Sequence, residues 1–490
     1  MEVRTRCAAV ALIALGALSP QTPARAAALT LQDCRLENPS GLNSVGARCG
    51  YLELAENPAA PDGPKIRIHV AVIAALRSKA QAEPLFIISG GPGSAASQFY
   101  ASAAGAFERV RRERDLVVVD QRGTGLSNPL DCDFPGDFEV EQLAIENLRE
   151  LTIGCRAKLK AQLEFYTTSI AVRDLDQVRA ALGYERIALY GVSYGTRVAE
   201  HFARRFPDRT RALILDGVVV PDRPLGPAIA LDAQSALDRV LAACARDHDC
   251  SIRFPNLAAR FTQLLDSVTR EPRAVDLADP VTGKSQPIKV TRDHLVGAVR
   301  LLSYNTATIA VLPLLIDEAA RGNLAPLVAQ AIMTTRLVAD QMSIGMHNSV
   351  VCAEDAPFFA AENVDREALA RTYIGTSQVD GLLEICKVWP RGVADPDLHA
   401  PLHSHVPALL LSGELDPVTP PANGERAARE FADALHIVAA GQGHGQLGAG
   451  CVPRLMAEFL AAGTTRKLDA SCAKSIAPLP FFLSFTGPSP

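Results

Sequence analysis

A serine stands between two glycines where an apolar run of the chain gives way to an amphipathic one. The stretch "RIALYGVSYGTRVAEHFARRFP" covers residues 186–207, and Ser193 is the serine of its G-x-S-x-G motif. A sharp strand-to-helix turn of this kind presents the serine hydroxyl as a nucleophile, and only glycine leaves room beside so tight a backbone. The alternative is a glycine-rich turn with an incidental serine, so the motif needs support from the rest of the chain.

Two later loops supply the partners that a nucleophilic serine requires, a base and an acid that orients it. Asp416 follows the apolar run 408–411 in "SGELDPVTPP", at the strand end where ligand sites of parallel sheets gather. His444 lies between two glycines in "AAGQGHGQL", after the next apolar run. The order serine, acid, histidine is the one found when such a turn carries the nucleophile. We predict that Ser193, Asp416 and His444 are catalytic.

Other residues compete for these roles. Glu414 shares the loop of Asp416, and Asp120 also ends a predicted strand but precedes the serine, so we interpret Asp120 as a structural anchor. The chain has 10 histidines. Several of them lie before or within predicted strands or on a helix face: His69, His201, His403, His405 and His436.

An acyl-transfer site also needs donors for the oxyanion. The backbone N–H of the residue after the nucleophile usually supplies one, and here that residue is Tyr194. The second is expected from the loop "SGGPG" after the run 85–88, because glycines let a backbone approach the substrate closely. Pro92 has no N–H, so we predict Gly91, with Gly90 second; an ordinary turn is the alternative.

The elements that must position these residues alternate between strands and helices. Short continuous apolar runs suit central parallel strands covered on both faces, and they occur at 85–88, 116–119, 187–190, 212–215, 408–411 and 435–438. Helical patterns between them predict an α/β fold with a mostly parallel sheet. The alternation stops between residues 221 and 400, where amphipathic helical patterns dominate, and we expect Pro313 and Gly322 to break the pattern at 307–338. We therefore predict two core parts, 27–220 and 401–490, separated by a helical insertion at 221–400.

The first 26 residues have the order of a secretory signal peptide. Arg4 and Arg6 precede a short apolar stretch, and an Ala-x-Ala sequence ends at Ala26. A buried N-terminal helix is the alternative. No apolar run of the sequence is long enough to span a bilayer. We expect an exported protein, periplasmic or extracellular.

Cysteine usage agrees with export. Of the 11 cysteines one lies in the predicted signal, which leaves an even set suited to disulfides in an oxidising compartment. Sequence cannot fix connectivity, but short loops close most easily, so we expect neighbours to pair: 34–49, 132–155, 244–250, 352–386 and 451–472. A metal site is the competing interpretation, and no C-x-x-C or clustered His/Cys spacing supports it.

The charge of the chain argues against polyanionic partners. The formal net charge is −5, and positive and negative residues are mixed without a lysine or arginine block. We expect no nucleic-acid partner. The predicted chemistry requires no metal or organic cofactor.

Taken in order, the motifs resemble those of a known family. The segments "GGPG", "VDQRGTGLS", "GVSYGT", "LDGVV", "SGELDPVTPP" and "GHG" are similar to the tripeptidyl-aminopeptidase-like α/β hydrolases, secreted serine exopeptidases related to proline iminopeptidases. The resemblance covers most of the chain after the predicted signal and is weak in the insertion. It implies the α/β-hydrolase fold, with a helical cap inserted after the strand near 212–216, and the same catalytic and oxyanion residues. Proline iminopeptidases usually have histidine before GGPG, whereas this chain has Ser89.

The resemblance also implies a function. Members release short peptides from a free N-terminus, and acidic residues of the cap receive the substrate ammonium; here "VVCAEDAPFF" offers Glu354 and Asp355. An ordinary acidic loop is the alternative for these two residues. We expect a secreted serine exopeptidase, releasing tripeptides, whose partners are peptides with a free N-terminus. A carboxylesterase with the same triad is the first alternative, and an inactive binding protein on the same scaffold is the second.

Overall fold

A computed structural model describes residues 29–39, 41, 43–77, 82–132, 145–279, 283–359 and 364–488. The predicted signal peptide at 1–26 lies outside these described residues. Within them no helix combines the length and apolarity needed to cross a membrane.

The first part of the chain builds a strand-rich half. Its elements are β1 (Gln32–Glu37), β2 (Ser44–Ala55), β3 (Lys65–Ile73), β4 (Leu85–Ile88), α1 (Ala96–Arg111), β5 (Leu116–Val119), α2 (Ile145–Lys158), α3 (Thr168–Ala181), β6 (Ile187–Val192), α4 (Tyr194–Arg205) and β7 (Thr210–Asp216). The sheet resumes far along the chain with β10 (Ala408–Gly413), α14 (Pro421–Ala428), β11 (Ala434–Ala439) and α15 (Val452–Ala462).

These strands form one sheet of nine strands in the order β1-β2-β3-β5-β4-β6-β7-β10-β11. Neighbours from β5 to β11 pair in parallel, whereas β1, β2 and β3 join the sheet by antiparallel pairing. Strands β4 and β5 are buried along their whole length, as their continuous apolar sequences predicted. The predicted mostly parallel sheet is confirmed.

Helices cover both faces of the sheet. On one face, side chains of α3 and α4, such as Leu175 and Phe202, share an apolar cluster with the strands. On the other face, α1 and α15 contribute Phe107 and Phe459 to a second cluster. Burial on both faces is the physical reason why β4 and β5 are apolar at every position.

Mostly helices lie between β7 and β10. They are α5 (Ile229–Arg246), α6 (His248–Arg253), α7 (Leu257–Arg270), α8 (Arg292–Leu302), α9 (Thr306–Ala320), α10 (Ala325–Gln341), α11 (Ile344–Val350), α12 (Arg366–Ala370) and α13 (Ser377–Val388). These elements enclose an apolar cluster of their own. We call this segment the insertion; its exact boundaries stay a prediction.

The insertion differs from the sequence-based expectation in two ways. It contains a hairpin of β8 (Arg273–Ala278) and β9 (Ser285–Val290), which the helical patterns did not indicate. The predicted break at Pro313 is wrong, because Pro313 lies inside α9, whereas Gly322 does lie between α9 and α10. Burial of the apolar residues around Pro313 on α9 outweighs the one backbone hydrogen bond that a helical proline removes.

All five predicted disulfide pairs are present: Cys34–Cys49, Cys132–Cys155, Cys244–Cys250, Cys352–Cys386 and Cys451–Cys472. Each joins cysteines that are neighbours in sequence, as the low entropy of closing short loops favours.

Candidate active site

Ser193 occupies the turn between β6 and α4 in a backbone conformation that is rare for a residue with a side chain. Its φ is 56° and its ψ is −127°. A Cβ on Gly191 would lie 2.3 Å from the Gly195 carbonyl oxygen, and one on Gly195 would lie 2.6 Å from the Ser89 carbonyl oxygen. Glycine is therefore required on both sides of Ser193, as the motif predicted.

His444 and Asp416 meet at the same edge of the sheet. His444 Nδ1 lies 2.7 Å from Asp416 Oδ2. The Asp416 side chain is fully buried and the His444 side chain is 12 % exposed. Glu414, the rival acid, is exposed and accepts the Gly441 N–H instead. The structure therefore pairs His444 with the acid that we predicted.

Asp416 is itself held in place by its own loop. Its Oδ1 accepts the backbone N–H groups of Val418 and Thr419 at 2.9 and 2.8 Å. The Thr419 hydroxyl donates to Asp416 Oδ2 at 2.8 Å and lies 3.1 Å from His444 Nδ1. Because Asp416 occupies Nδ1 of the imidazole, Nε2 is the nitrogen left to act as a base.

The electrostatic surroundings favour a protonated His444. Burial alone lowers the pKa of the imidazole, but the charge and hydrogen bond of Asp416, together with the charge of Asp216, raise that pKa above its usual value. An imidazolium is the species formed when a base removes a serine proton, so these carboxylates stabilise it.

Tyr304 places the histidine from the insertion side, and sequence reasoning missed it. The His444 backbone N–H donates to the Tyr304 carbonyl oxygen at 2.7 Å, and the two rings meet edge to face at 5.4 Å. Tyr304 lies between α8 and α9. No local sequence signal marks a residue that positions the histidine through its backbone carbonyl and its ring.

The glycine-rich loop after β4 packs directly against Ser193. A Cβ on Gly90 would lie 2.9 Å from the Ser193 Cβ and 3.5 Å from its Oγ. Gly91 has a φ of 107° and precedes a cis peptide bond to Pro92. Tyr194 is the first residue of α4, so its N–H belongs to the first helical turn, which has no intrahelical acceptors. The oxyanion roles of Tyr194 and Gly91 stay predictions.

Residues of the insertion contact this glycine-rich loop. The Ser343 N–H donates to the Gly93 carbonyl oxygen at 3.0 Å, and Ser94 forms an isolated bridge with Met342. His347 Nδ1 lies 3.3 Å from the Pro92 carbonyl oxygen, and burial lowers the pKa of this imidazole. These contacts were not predicted, because they join segments about 250 residues apart.

Glu354 and Asp355 are buried and already have protein partners. They lie in a π-helical turn (Val351–Asp355), and their side chains have no solvent exposure. Asp355 receives two hydrogen bonds from Arg197, whereas Glu354 accepts the N–H and hydroxyl of Thr168 at 2.7 and 2.8 Å. Burial raises the pKa of Glu354 to about 7. Binding of a substrate amine by either carboxylate stays a prediction.

Glu354 connects to Tyr194, the residue after Ser193, through a chain of hydroxyl groups. Thr168 Oγ1 lies 2.6 Å from the Tyr194 hydroxyl, which also accepts a hydrogen bond from Gln121 at 3.1 Å. Glu354 is thus two hydrogen bonds away from the residue that follows Ser193. A change at Glu354 can therefore reach the serine turn without any contact with substrate.

Asp120 is a structural residue, as we interpreted it. Its carboxylate accepts hydrogen bonds from the Ser97 N–H and hydroxyl at 2.8 and 2.9 Å and from the Leu126 N–H at 3.1 Å, and it lies 3.2 Å from His69 Nδ1. Within the described ranges, no group of three or more His, Cys, Asp or Glu side chains is arranged to hold a metal ion.

Comparisons with known families match both parts of the sheet. The family described as "alpha/beta hydrolase fold" matches residues 83–296, and the family described as "TAP-like protein" matches residues 371–472. The resemblance found in the sequence is therefore confirmed, and the fold is that of an α/β hydrolase.

Curated relatives include two peptidases. The chain is 28 % identical over 487 residues to "Serine protease Hip1" of Mycobacterium tuberculosis, covering 90 % of each chain. It is 33 % identical over 193 residues to "Tripeptidyl aminopeptidase" of Streptomyces coelicolor, which is 36 % of each chain. Among solved structures, a proline iminopeptidase of Mycobacterium smegmatis matches at 15 % identity with a TM-score of 0.38, covering 84 % of this chain and 98 % of that one.

Proposed function

We propose that this tripeptidyl-aminopeptidase-like α/β hydrolase, a serine peptidase, is an exported exopeptidase that releases tripeptides from free N-termini through an acyl-enzyme on Ser193. The observation that carries the proposal is the 2.7 Å contact between His444 and buried Asp416, together with a serine held in a strained turn. Two peptidase relatives add support for peptide substrates.

In the proposed mechanism, His444 Nε2 takes the proton of the Ser193 hydroxyl while Oγ forms a bond to the scissile carbonyl carbon. The carbonyl oxygen becomes an oxyanion that faces the N–H groups of Tyr194 and Gly91. The imidazolium then gives its proton to the leaving amine as the C–N bond breaks. Water, activated by the same imidazole, attacks the resulting ester, releases the acyl peptide and restores the serine.

Asp416 has a supporting part in each step. Its carboxylate fixes the tautomer with the proton on Nδ1 and stabilises the imidazolium that forms twice in the cycle. Two backbone N–H groups and the Thr419 hydroxyl hold this carboxylate rigidly, so it needs no rearrangement when charge develops.

Recognition of a free amine separates the proposed exopeptidase from the alternative carboxylesterase. We would compare a free-amine tripeptide anilide, its N-acetylated twin and a short p-nitrophenyl ester, with Ser193→Ala as the blank. We expect the free-amine peptide to be cleaved in large preference to its N-acetylated twin, with slower turnover of the activated ester. If the ester were turned over and neither peptide were cut, the protein would be a carboxylesterase and the exopeptidase proposal would be wrong.

The length of the released peptide needs its own measurement. Dipeptide, tripeptide and tetrapeptide anilides with the same residue before the anilide would be compared by kcat/KM, and the products of a longer peptide identified by mass. We expect kcat/KM for the tripeptide anilide to exceed the values for the dipeptide and tetrapeptide anilides. Equal rates for all three lengths would refute tripeptide release while leaving the aminopeptidase assignment intact.

Glu354 is the proposed acceptor of the substrate amine, and its contacts define the test. Glu354→Gln is expected to raise KM for free-amine peptides and to spare the neutral ester. Equal losses on both substrates would instead mean that Glu354 acts through Thr168 and Tyr194 on the serine turn.

Export is supported by the disulfides, because such bonds persist mainly outside the reducing cytosol. Fractionation of the native host, followed by determination of the mature N-terminus, tests this part. A mature chain that begins near residue 27 is expected, and an unprocessed cytosolic chain would contradict the proposal.

A further inference from the structure

Asp216 is a second buried carboxylate behind the histidine loop. It ends β7 and has no solvent exposure. The Gln446 N–H donates to both of its oxygens, at 2.7 and 2.9 Å, and the Tyr190 hydroxyl donates to Oδ2 at 2.8 Å. Gln446 is two residues past His444, so this carboxylate fixes the backbone of the His444 loop just after the imidazole.

The backbone of the same residue holds the serine. The Ser193 N–H donates to the Asp216 carbonyl oxygen at 2.8 Å. The next residue, Gly217, has a φ of 66°, and a Cβ there would lie 3.0 Å from His444 Cε1. The end of β7 is therefore in contact with the serine turn through its carbonyl and with the histidine ring through its backbone.

Three ionisable groups face the Asp216 carboxylate: Tyr190 from β6, His444 from its loop and Asp416 from the loop after β10. No arginine or lysine pairs with Asp216 in the part of the chain that the structure describes. Burial raises the pKa of Asp216 to about 6, opposed by the hydrogen bonds from Tyr190 and Gln446. We therefore expect Asp216 to be ionised at neutral pH and to lose its charge under mildly acidic conditions.

We propose that Asp216 is a positioning residue that fixes the Ser193 turn and the His444 loop to one strand end and adds a second negative charge that strengthens His444 as a base. The proposal rests on the catalytic roles of Ser193 and His444 given above. Asp416 contacts the imidazole directly, whereas Asp216 acts through the Gln446 backbone and through its field. Two carboxylates whose charges act on one imidazole stabilise its protonated form more than one does.

The direct test is Asp216→Asn. Asparagine keeps an oxygen for the Gln446 N–H and an amide that can donate to the Tyr190 oxygen, so the shape is kept and the charge is lost. The pKa of His444 is expected to fall, so the acidic limb of the rate profile moves to lower pH by about half a unit. The plateau rate is expected to fall by about 3- to 10-fold, because the imidazolium of the transition state loses support.

Tyr190→Phe is a milder variant in the same series. It removes a hydrogen bond that lowers the pKa of Asp216 and leaves the carboxylate in place. Less of Asp216 is then ionised near pH 6 to 7, so the acidic limb is expected to shift in the same direction by a smaller amount, with a normal rate at pH 8. This variant keeps the proposal testable if Asp216→Asn does not fold.

Asp120→Asn is the matched control. Asp120 is also a buried carboxylate at a strand end that accepts backbone N–H groups, but it faces Ser97 and His69 and not His444. It is expected to lower stability without moving the acidic limb. Melting temperatures of all variants, measured across the same pH range, separate loss of fold from loss of charge.

The readouts are the pH dependence of kcat/KM on the ester and the pH dependence of serine labelling by a fluorophosphonate. An acidic limb in Asp216→Asn that coincides with that of the wild type would overturn the proposal, even if the protein were less stable. Loss of labelling in Ser193→Ala but not in the wild type establishes the site independently. If wild-type protein were not labelled at Ser193, the proposed function itself would fail.

Discussion

Arg197, on the helix that begins after Ser193, forms a bidentate ion pair with Asp355 of the insertion. The guanidinium nitrogens lie 2.8 and 3.0 Å from the carboxylate oxygens, and both side chains are buried. The Leu225 N–H donates to the same carboxylate at 2.8 Å. The insertion is therefore attached to α4, the helix that follows Ser193, by an ion pair that is buried from water.

Asp355→Asn is expected to destabilise the protein by about 3–5 kcal/mol, because it leaves the Arg197 charge buried with a weaker partner. The free energy of unfolding in guanidinium chloride gives the measurement. Glu458→Gln is the control, since it breaks the partly exposed Arg454–Glu458 pair of α15. That change is expected to alter stability by less than about 1 kcal/mol. Similar losses from both would contradict the assignment.

Gly217→Ala is expected to lower activity more than stability explains. The new Cβ would lie 2.9 Å from Thr419 Oγ1 and 3.0 Å from His444 Cε1, so the imidazole must move. Gly183→Ala separates the two effects, because Gly183 also has a positive φ of 79° and no atom of the described residues lies within 4 Å of its Cβ position. Each change strains the backbone by about 1–2 kcal/mol. Only Gly217→Ala is expected to reduce kcat strongly; equal activities would show that the ring tolerates the contact.

Thr419→Val removes the hydroxyl that joins Asp416 and His444. One hydrogen bond to a buried carboxylate is lost, so kcat/KM is expected to fall by about 10-fold, and the loss should appear mainly in kcat. Thr419→Ser keeps the hydroxyl and is expected to retain most of the activity. A serine variant as impaired as the valine variant would indicate a packing role.

We expect Glu200 to make the free energy of unfolding depend on pH. It is buried on α4, and its Oε2 has no hydrogen-bond partner among the described residues. Burial raises its pKa to about 8, opposed by the charges of Arg204 and Arg197. Between pH 4.5 and 8 the folded chain holds a proton that the unfolded chain releases, so this group lowers stability as pH rises.

Glu200→Gln is therefore expected to be more stable than the wild type at pH 8, by on the order of 3–5 kcal/mol, and nearly equal to it at pH 4.5. Chemical unfolding at a series of pH values measures the difference. A constant difference at all pH values would show that Glu200 does not titrate in this window.

Local sequence determined much of this protein. Short apolar runs specify strands buried on both faces, and the glycines beside Ser193 specify a turn that no other residue allows. The neighbouring cysteines paired as expected, since closing a short loop loses little entropy. These features depend on residues close together in the chain, which is why the pattern was sufficient.

Tertiary structure decided which residues meet. The loop "SGELDP" offered two acids, and only the fold turns Asp416 toward His444 and Glu414 toward solvent. Sequence offered Glu354 and Asp355 as acceptors of a substrate ammonium, with an ordinary acidic loop as the alternative, and the fold places them against Thr168 and Arg197. The contacts of Glu354 and Asp355 join segments more than 150 residues apart. Their formation depends on the burial and packing of the whole sheet, which no local pattern records.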